Sequence, residues 1–305
     1  MKLIREAYLE QIRPYYYLNL EDLDYEYIVN ASDLNKEIKS RMTDDEKYYL
    51  FLDEIQHVEQ FEKALASFRA SLNVSVFVTG SNSTLLSGEL ATLLTGRTVE
   101  LEVLPFSFYE MKEYFELNHR PFSEDMFTDY LKWGGFPLRF DFQDEASIRR
   151  YLLSVYESIV KKDITGKSCS IDRKAFTDIS LYILANAGKE LSIDNIPAGY
   201  EKGNKKVSRR TIYTYLEKMK KAYLLHGVGR YNITGKTALS NKEKQYAVDC
   251  GFRTINTNTI NFEDTFFLEN VIYNELISRN YTVFAGKTYK GEIDFLLRRK
   301  DLMLT

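Results

Sequence analysis

Two hydrophobic rhythms take turns along the first 120 residues. Short apolar runs closed by acids or small polar residues predict strands at "YYYLNLED" (15–22), "YYLFLDE" (48–54), "VSVFVTGS" (74–81) and "TVELEVLPFS" (98–107). The second is apolar on both faces, as a buried strand of a parallel sheet must be. Between the strands the spacing turns helical. Val58, Phe61, Leu65, Phe68 and Leu72 recur every three or four residues and predict a helix over 57–72. "STLLSGELATLLTG" (83–96) contains a short helix, and "FYEMKEYFEL" supplies another after the fourth strand. This alternation implies a parallel α/β sheet with ligands at the carboxyl ends of its strands.

Residues 123–200 read as mostly helical, with a tight turn at "KWGGFP" where Trp133 packs at a helical corner. "SRRTIYTYLEKMKKAYLL" (208–225) places Ile212, Leu216 and Met219 on one helical face, with Ser208 as its N-cap. A hairpin-like stretch follows, "LLHGVGRYNITGKTALS". Then come an amphipathic helix at 266–280, strands at "YTVFAG" and "GEIDFLLRR", and the start of a further strand at "DLMLT".

Charge divides the chain. Residues 1–150 carry 16 Lys/Arg against 27 Asp/Glu, and residues 151–305 carry 25 against 17. An acidic half joined to a basic half implies two kinds of partner, one of them nucleic acid. No run of 18 apolar residues predicts a membrane span, and the opening "MKLIREAYLEQIRPYYY" has no leader-like core. Two cysteines, Cys169 and Cys250, make neither a disulfide framework nor a zinc site, which fits a reduced cytoplasm.

The chemistry concentrates where strand 48–54 ends. An Asp-Glu pair there turns one carboxylate toward magnesium and the next toward an attacking water. A solvated acidic pair is the alternative. The next strand ends in "TGSNS", which puts Thr79, Ser81 or Asn82 beside Asp53 as a polar sensor of a terminal phosphate. Arg97, in "LLTGR", is a candidate charge stabiliser for a neighbouring site.

The string from "YYLFLDEIQH" through "TGSNS" and "LLTGR" to "LPFSFYEM" resembles the AAA-like, archaeal-type ATPases of prokaryotes. The likeness continues through "YLKWGGFP", "IVKKDI", "RTIYTYLEKMKKAYLL", "YAVDCGFR" and "GEIDFLL". It implies an α/β parallel-sheet, P-loop-type ATPase core over 1–120, a helical lid and winged-helix region over 121–245, and a partial restriction-endonuclease-like domain over 246–305. It further implies ATP and magnesium as ligands and self-association through the ATPase core. Asp53 would be the magnesium-side Walker B acid, Glu54 the catalytic glutamate and Arg97 an arginine finger or sensor.

Such a family needs a Gly-rich loop ending in Gly-Lys-Ser/Thr, whose N–H groups and helix N-terminus surround the phosphates. Three Gly-Lys-Ser/Thr triplets occur, at 166–168, 235–237 and 286–288, and none has the required first Gly at the right spacing. All three read as turns. "LIREAYLEQI" resembles the helix that follows the loop, so the chain is expected to be a fragment that lacks the loop and cannot hydrolyse ATP unaided.

In the second half, residues 201–230 hold nine Lys/Arg and two acids. A basic helix and a hairpin are winged-helix parts, with Lys205, Lys206, Arg209 and Arg210 set to meet DNA phosphates. Under the same resemblance Glu269 and Asp294 match two of the metal-binding positions of a nuclease, and the third is missing. The alternative function is a nucleic-acid-binding module in which the ATPase core is scaffold.

Overall fold

The computed structural model describes residues 14–42, 44–80, 98–166, 171–189, 196, 207–233, 237–255, 265–288 and 291–299. They belong to two compact units, which divide between Leu101 and Glu102.

The first unit is built on a three-stranded parallel sheet, β1 (Tyr15–Asn19), β2 (Tyr48–Asp53) and β3 (Val74–Val78), in that spatial order. Two helices, α1 (Ala31–Arg41) and α2 (Phe61–Ser71), pack on each other and on one sheet face. Asn30 caps α1, its side chain accepting from the backbone N–H groups of Ser32 and Asp33. Leu18, Leu50 and Leu52 are fully buried beneath Leu34, Ile38, Leu65 and Phe68. Each such side chain contributes about 2 kcal/mol. The other face stacks Phe51 on Phe77, centroids 4.8 Å apart.

Two expectations for this unit change. The helix expected from 57 begins at Phe61, because Ile55–His57 form a 3-10 turn and Gln60 adopts a left-handed conformation, φ 56°. Val58 is buried even so, which is why its spacing looked helical. The strand expected at 98–107 does not form: none of these residues belongs to a strand, and Val99, Leu101 and Val103 are 80–92% exposed. Alternation marks one apolar face, but a strand also needs another strand to bond along its length, and among the described residues no strand pairs with this segment. The short helix expected at 83–96 lies outside the described residues.

The second unit opens with α3 (Phe108–Leu117), started by a reciprocal Ser107–Glu110 capping box, and α4 (Met126–Trp133), which stops at Gly134 with φ 73°. Then come α5 (Glu145–Ile159), ending in a π-helical turn, α6 (Arg173–Ala185) and α7 (Arg209–Lys221). As expected, α7 is capped by Ser208, which accepts from the Thr211 N–H at 3.1 Å. Trp133 is buried at the α4 corner.

A hairpin of β4 (Leu225–Asn232) and β5 (Thr237–Ala247) follows, then α8 (Cys250–Thr254), α9 (Thr265–Ser278), β6 (Tyr281–Lys287) and β7 (Glu292–Arg299). The hairpin joins the last two strands in one mixed sheet, ordered β5-β4-β6-β7. The helix expected as amphipathic is apolar on nearly every side: Leu268 and Ile272 are exposed while Asn270 is fully buried. Asn270 both accepts from the Ala247 N–H and donates to the Ala247 carbonyl, so it bonds the end of β5 as a strand would. The triplet expected as a turn at 286–288 instead puts Gly286 and Lys287 within β6, while Gly166 does lie in a turn.

Candidate functional site

Parallel strands bring their carboxyl ends to one edge, and in the first unit that edge gathers Asp53, Glu54 and Thr79. The Tyr17 hydroxyl donates to Asp53 Oδ2 at 2.7 Å, and the Thr79 hydroxyl donates to Oδ1. Thr79 Oγ1 in turn accepts from the Glu54 N–H at 3.2 Å. Backbone bonds fix this junction: Thr79 N–H to the Leu52 carbonyl at 2.9 Å, and Ile55 N–H to the Thr79 carbonyl at 3.0 Å. Glu54 has φ 56° and ψ 46°, a left-handed conformation uncommon outside Gly, Asn and Asp. Its Oε2 accepts from the Gln56 side-chain amide.

Hydroxyls and an amide orient these two carboxylates and leave their charge in place. Hard oxygen donors of that kind suit a magnesium ion and its water. Asp53 would hold the cation and Glu54 would face the water. A phosphate cradle is a separate requirement, and the Gly-Lys pair that the described residues include, Gly286–Lys287, lies within β6 and not at a strand–loop–helix turn. The residues present therefore fit the cation side of a nucleotide site.

Sequence reasoning missed Tyr17 and Gln56. Tyr17 was legible in principle: it sits on the strand beside β2, two positions before Asn19, which pairs with Asp53. Side chains two apart on a strand share a face, so Tyr17 and Asp53 lie on one side of the sheet. Ser81, Asn82, Arg97, Lys205 and Lys206 lie outside the described residues.

In the second unit, Arg209 and Arg210 are exposed in the first turn of α7. Glu269 and Asp294 are not equivalent. Glu269, on α9, accepts from the Tyr246 hydroxyl and pairs with the buried Lys244 ammonium, which also lies 3.6 Å from Glu292. Asp294 is exposed on β7. Among the described residues no group of three or more His, Cys, Asp or Glu side chains could hold a metal ion.

A further polar centre went unsuspected. Asp249 is fully buried, accepting from Gly135 N–H and Gly251 N–H, each at 2.7 Å. A Cβ on Gly134 would overlap its carboxylate. Burial pushes the Asp249 carboxyl up to about 6, against the lowering effect of those two N–H groups and of Arg139. Burial likewise pushes the neighbouring Cys250 thiol well above its usual value and His226 down to about 4.

The "AAA domain" family model matches residues 1–112, and a domain of unknown function, DUF8612, matches residues 124–261. An uncharacterised protein of Haemophilus influenzae is 34% identical over 292 residues, covering 94% of this chain and 72% of that protein. This chain belongs to one family with that Haemophilus protein, and its first 112 residues are an AAA domain. The uncharacterised protein MJ1544 of Methanocaldococcus jannaschii is 29% identical, covering 92% of this chain and 65% of its own length. The AAA-like chain thus spans about two thirds of either relative. Its fold also resembles the Walker-type ATPase paby2304 of Pyrococcus abyssi, with a TM-score of 0.52 at 14% identity over 83% of this chain and 87% of that one. No described helix is long and apolar enough to cross a membrane.

Proposed function

We propose that residues 14–80 carry the magnesium-and-water side of an ATP-hydrolysing site. Asp53 holds the cation, Glu54 orients and activates the attacking water, and Thr79 fixes both. The supporting observation is the convergence of the three at one sheet edge, with each Asp53 oxygen set by a hydroxyl. A magnesium ion bound there neutralises phosphate charge. One of Thr79, Ser81 and Asn82 serves as phosphate sensor, and Arg97 is an arginine finger or sensor.

Asp53 and Glu54 are two negative charges facing a polyanion. Without N–H groups and a lysine around the phosphates, magnesium offsets only part of that repulsion. The 305 residues by themselves should bind ATP no tighter than about 1 mM, with no turnover. Titration with fluorescent ATP and a phosphate-release assay measure this. Joined to a strand and Gly-rich loop ahead of residue 1, they should hydrolyse ATP, and Glu54→Gln should stop turnover while nucleotide still binds. Saturable hydrolysis by the 305 residues alone would overturn the assignment of the cradle. Turnover that survives Glu54→Gln would overturn the role of Glu54.

A second activity is favoured by α7. Arg209 and Arg210 stand in its first turn, where positive charge opposes the helix dipole, so helix stability does not account for them. With the β4–β5 hairpin behind them, residues 121–245 act as a winged-helix region that binds duplex DNA weakly and without sequence preference. Residues 246–305 act as a nuclease-like scaffold that does not cut. Anisotropy titrations of labelled duplex at two salt concentrations test the first claim. Replacing Lys205, Lys206, Arg209 and Arg210 with Ala should weaken binding and flatten its salt dependence, by roughly 0.9 in log–log slope per lost phosphate contact. Plasmid nicking with magnesium or manganese, abolished by Asp294→Asn, would refute the second.

A further inference from the structure

The peptide group between Gly134 and Gly135 is held from both sides. Its carbonyl accepts from Arg139 Nε at 2.5 Å, and its N–H donates to Asp249 Oδ2 at 2.7 Å. Both side chains are buried, Arg139 in the 3-10 turn Pro137–Asp141 and Asp249 just ahead of α8. The next carbonyl, that of Gly135, accepts from the Phe106 N–H at 3.0 Å, while the Tyr130 hydroxyl donates to the Phe106 carbonyl at 2.8 Å. Phe106 lies in the short stretch between the division at Leu101 and the start of α3. Two glycines make this meeting possible. A Cβ on Gly134 would overlap the Asp249 carboxylate, and one on Gly135 would overlap the Phe106 carbonyl. A buried carboxylate whose pKa is pushed up weakens the fold when it ionises, so packing does not account for Asp249.

We propose that Asp249 and Arg139 form a proton-operated clasp on the Gly134–Gly135 peptide, which docks the chain at Phe106 when Asp249 is ionised and releases it when Asp249 is protonated. The ionised carboxylate accepts from the Gly135 and Gly251 N–H groups, and hydrogen bonds to a charged acceptor are roughly twice as strong as neutral ones. A proton on the carboxyl removes that charge and turns one oxygen into a donor. Arg139 then holds the peptide alone through the Gly134 carbonyl, and the Gly135 carbonyl moves more freely against Phe106. The surrounding groups leave this proton to Asp249. Burial pushes up the Tyr130 phenol of α4, the Tyr151 phenol of α5 and the Cys250 thiol of α8, so all three stay neutral. Arg139 faces the carboxyl as a fixed positive charge and is itself paired with Asp129. Arg253 acts on Cys250, and Glu275 of α9 acts on Tyr130. The Asp249 carboxyl is the group at this corner that changes charge between pH 5 and 8.

Hydrogen exchange of the full chain tests this, read as protection at Phe106 after correction for the intrinsic exchange rate at each pH. In wild type that protection should fall roughly tenfold from pH 8 to pH 5, the difference between bonds to a charged and to a neutral acceptor. Asp249→Asn is neutral at every pH and should show the low value throughout. Gly135→Ala should free Phe106 at both pH values with Asp249 intact. A carboxyl that serves stability alone moves the readout the other way. Its folded pKa of about 6 lies above the unfolded value of 3.8, so its contribution to stability grows as pH falls toward 5. Protection at Phe106 would then rise together with that of β4 and β5. Such a rise overturns the clasp, as does a wild-type profile that Asp249→Asn leaves unchanged. Should Asp249→Asn fail to fold, the sign of the wild-type change at Phe106 against β4 and β5 decides. Phe106 still protected in Gly135→Ala overturns the docking role of the glycine pair.

Discussion

Glu54 and Glu269 are both acids that a sequence reader would place at a metal, yet their surroundings treat them oppositely. Glu54, like Asp53 beside it, is held by neutral donors: an amide for one, two hydroxyls for the other. Glu269 is held by a buried ammonium and a phenol. Neutral donors set direction without supplying a countercharge, so a cation would still gain by binding. A buried ion pair already has its countercharge, and a metal would have to displace Lys244 from a low-dielectric site. The same residue type therefore supports the proposed ligand site in the first unit and serves internal structure in the second.

Four experiments can break or sharpen that contrast. Lys244→Met leaves Glu269 buried beside a phenol alone and should destabilise the chain by about 3–5 kcal/mol. Adding Glu269→Gln should recover more than half of it, measured by urea unfolding. Failure to recover would mean that Lys244 acts through Glu292 instead.

Asp249 gives the next largest effect and has a definite sign. Its folded pKa of about 6 lies above the unfolded value near 3.8, so the native state binds the proton more tightly between those values. Wild type should therefore lose stability relative to Asp249→Asn as pH rises from about 4 to 7, by up to about 3 kcal/mol. A parallel pair of stability curves would show that the carboxyl titrates alike in both states.

Asp53→Asn should change unfolding free energy by less than about 1 kcal/mol, because the amide keeps one acceptor oxygen and its NH2 can donate to a hydroxyl that turns to accept. It should nevertheless abolish manganese binding, the reverse of what removing Lys244 does. The smallest stability effect belongs to Arg209→Ala/Arg210→Ala, within about 0.5 kcal/mol and on the stabilising side, since two cations leave a helix N-terminus. A large loss there would place these arginines in the fold rather than at a partner.

Period and punctuation carried much of the fold. β1, β2 and β3 announce themselves by apolar runs, and the Asp53–Glu54 pair at a strand end is a local signal, as is the Ser208 cap. What the sequence hid was everything that depends on pairing at a distance. "VELEV" has a strand's alternation, but whether a neighbour exists to bond it is not written in those five residues. The Asp249 carboxylate meets Gly135 across 114 positions, and neither "WGG" nor "VDCG" states its need for the other. Within the candidate site, Asp53 and Glu54 were legible because backbone placement alone puts them at the edge. Tyr17 was legible only through its register two positions before the partner of Asp53, and Gln56 was not, because its contact depends on its rotamer.

The outer edge of β3 has a consequence for handling the molecule. "VSVFV" is uncharged, rich in β-branched residues and free of proline, and among the described residues it is the last strand of its sheet, with Phe77 partly in solvent. An edge strand of that kind is a template for another chain's strand, the first step toward aggregation. The first unit prepared alone should be colloidally fragile at high concentration. A lysine in place of Ser75 would act as a gatekeeper, repelling an incoming copy while leaving the parallel pairing of Leu52 with Val78 beside the site as it is.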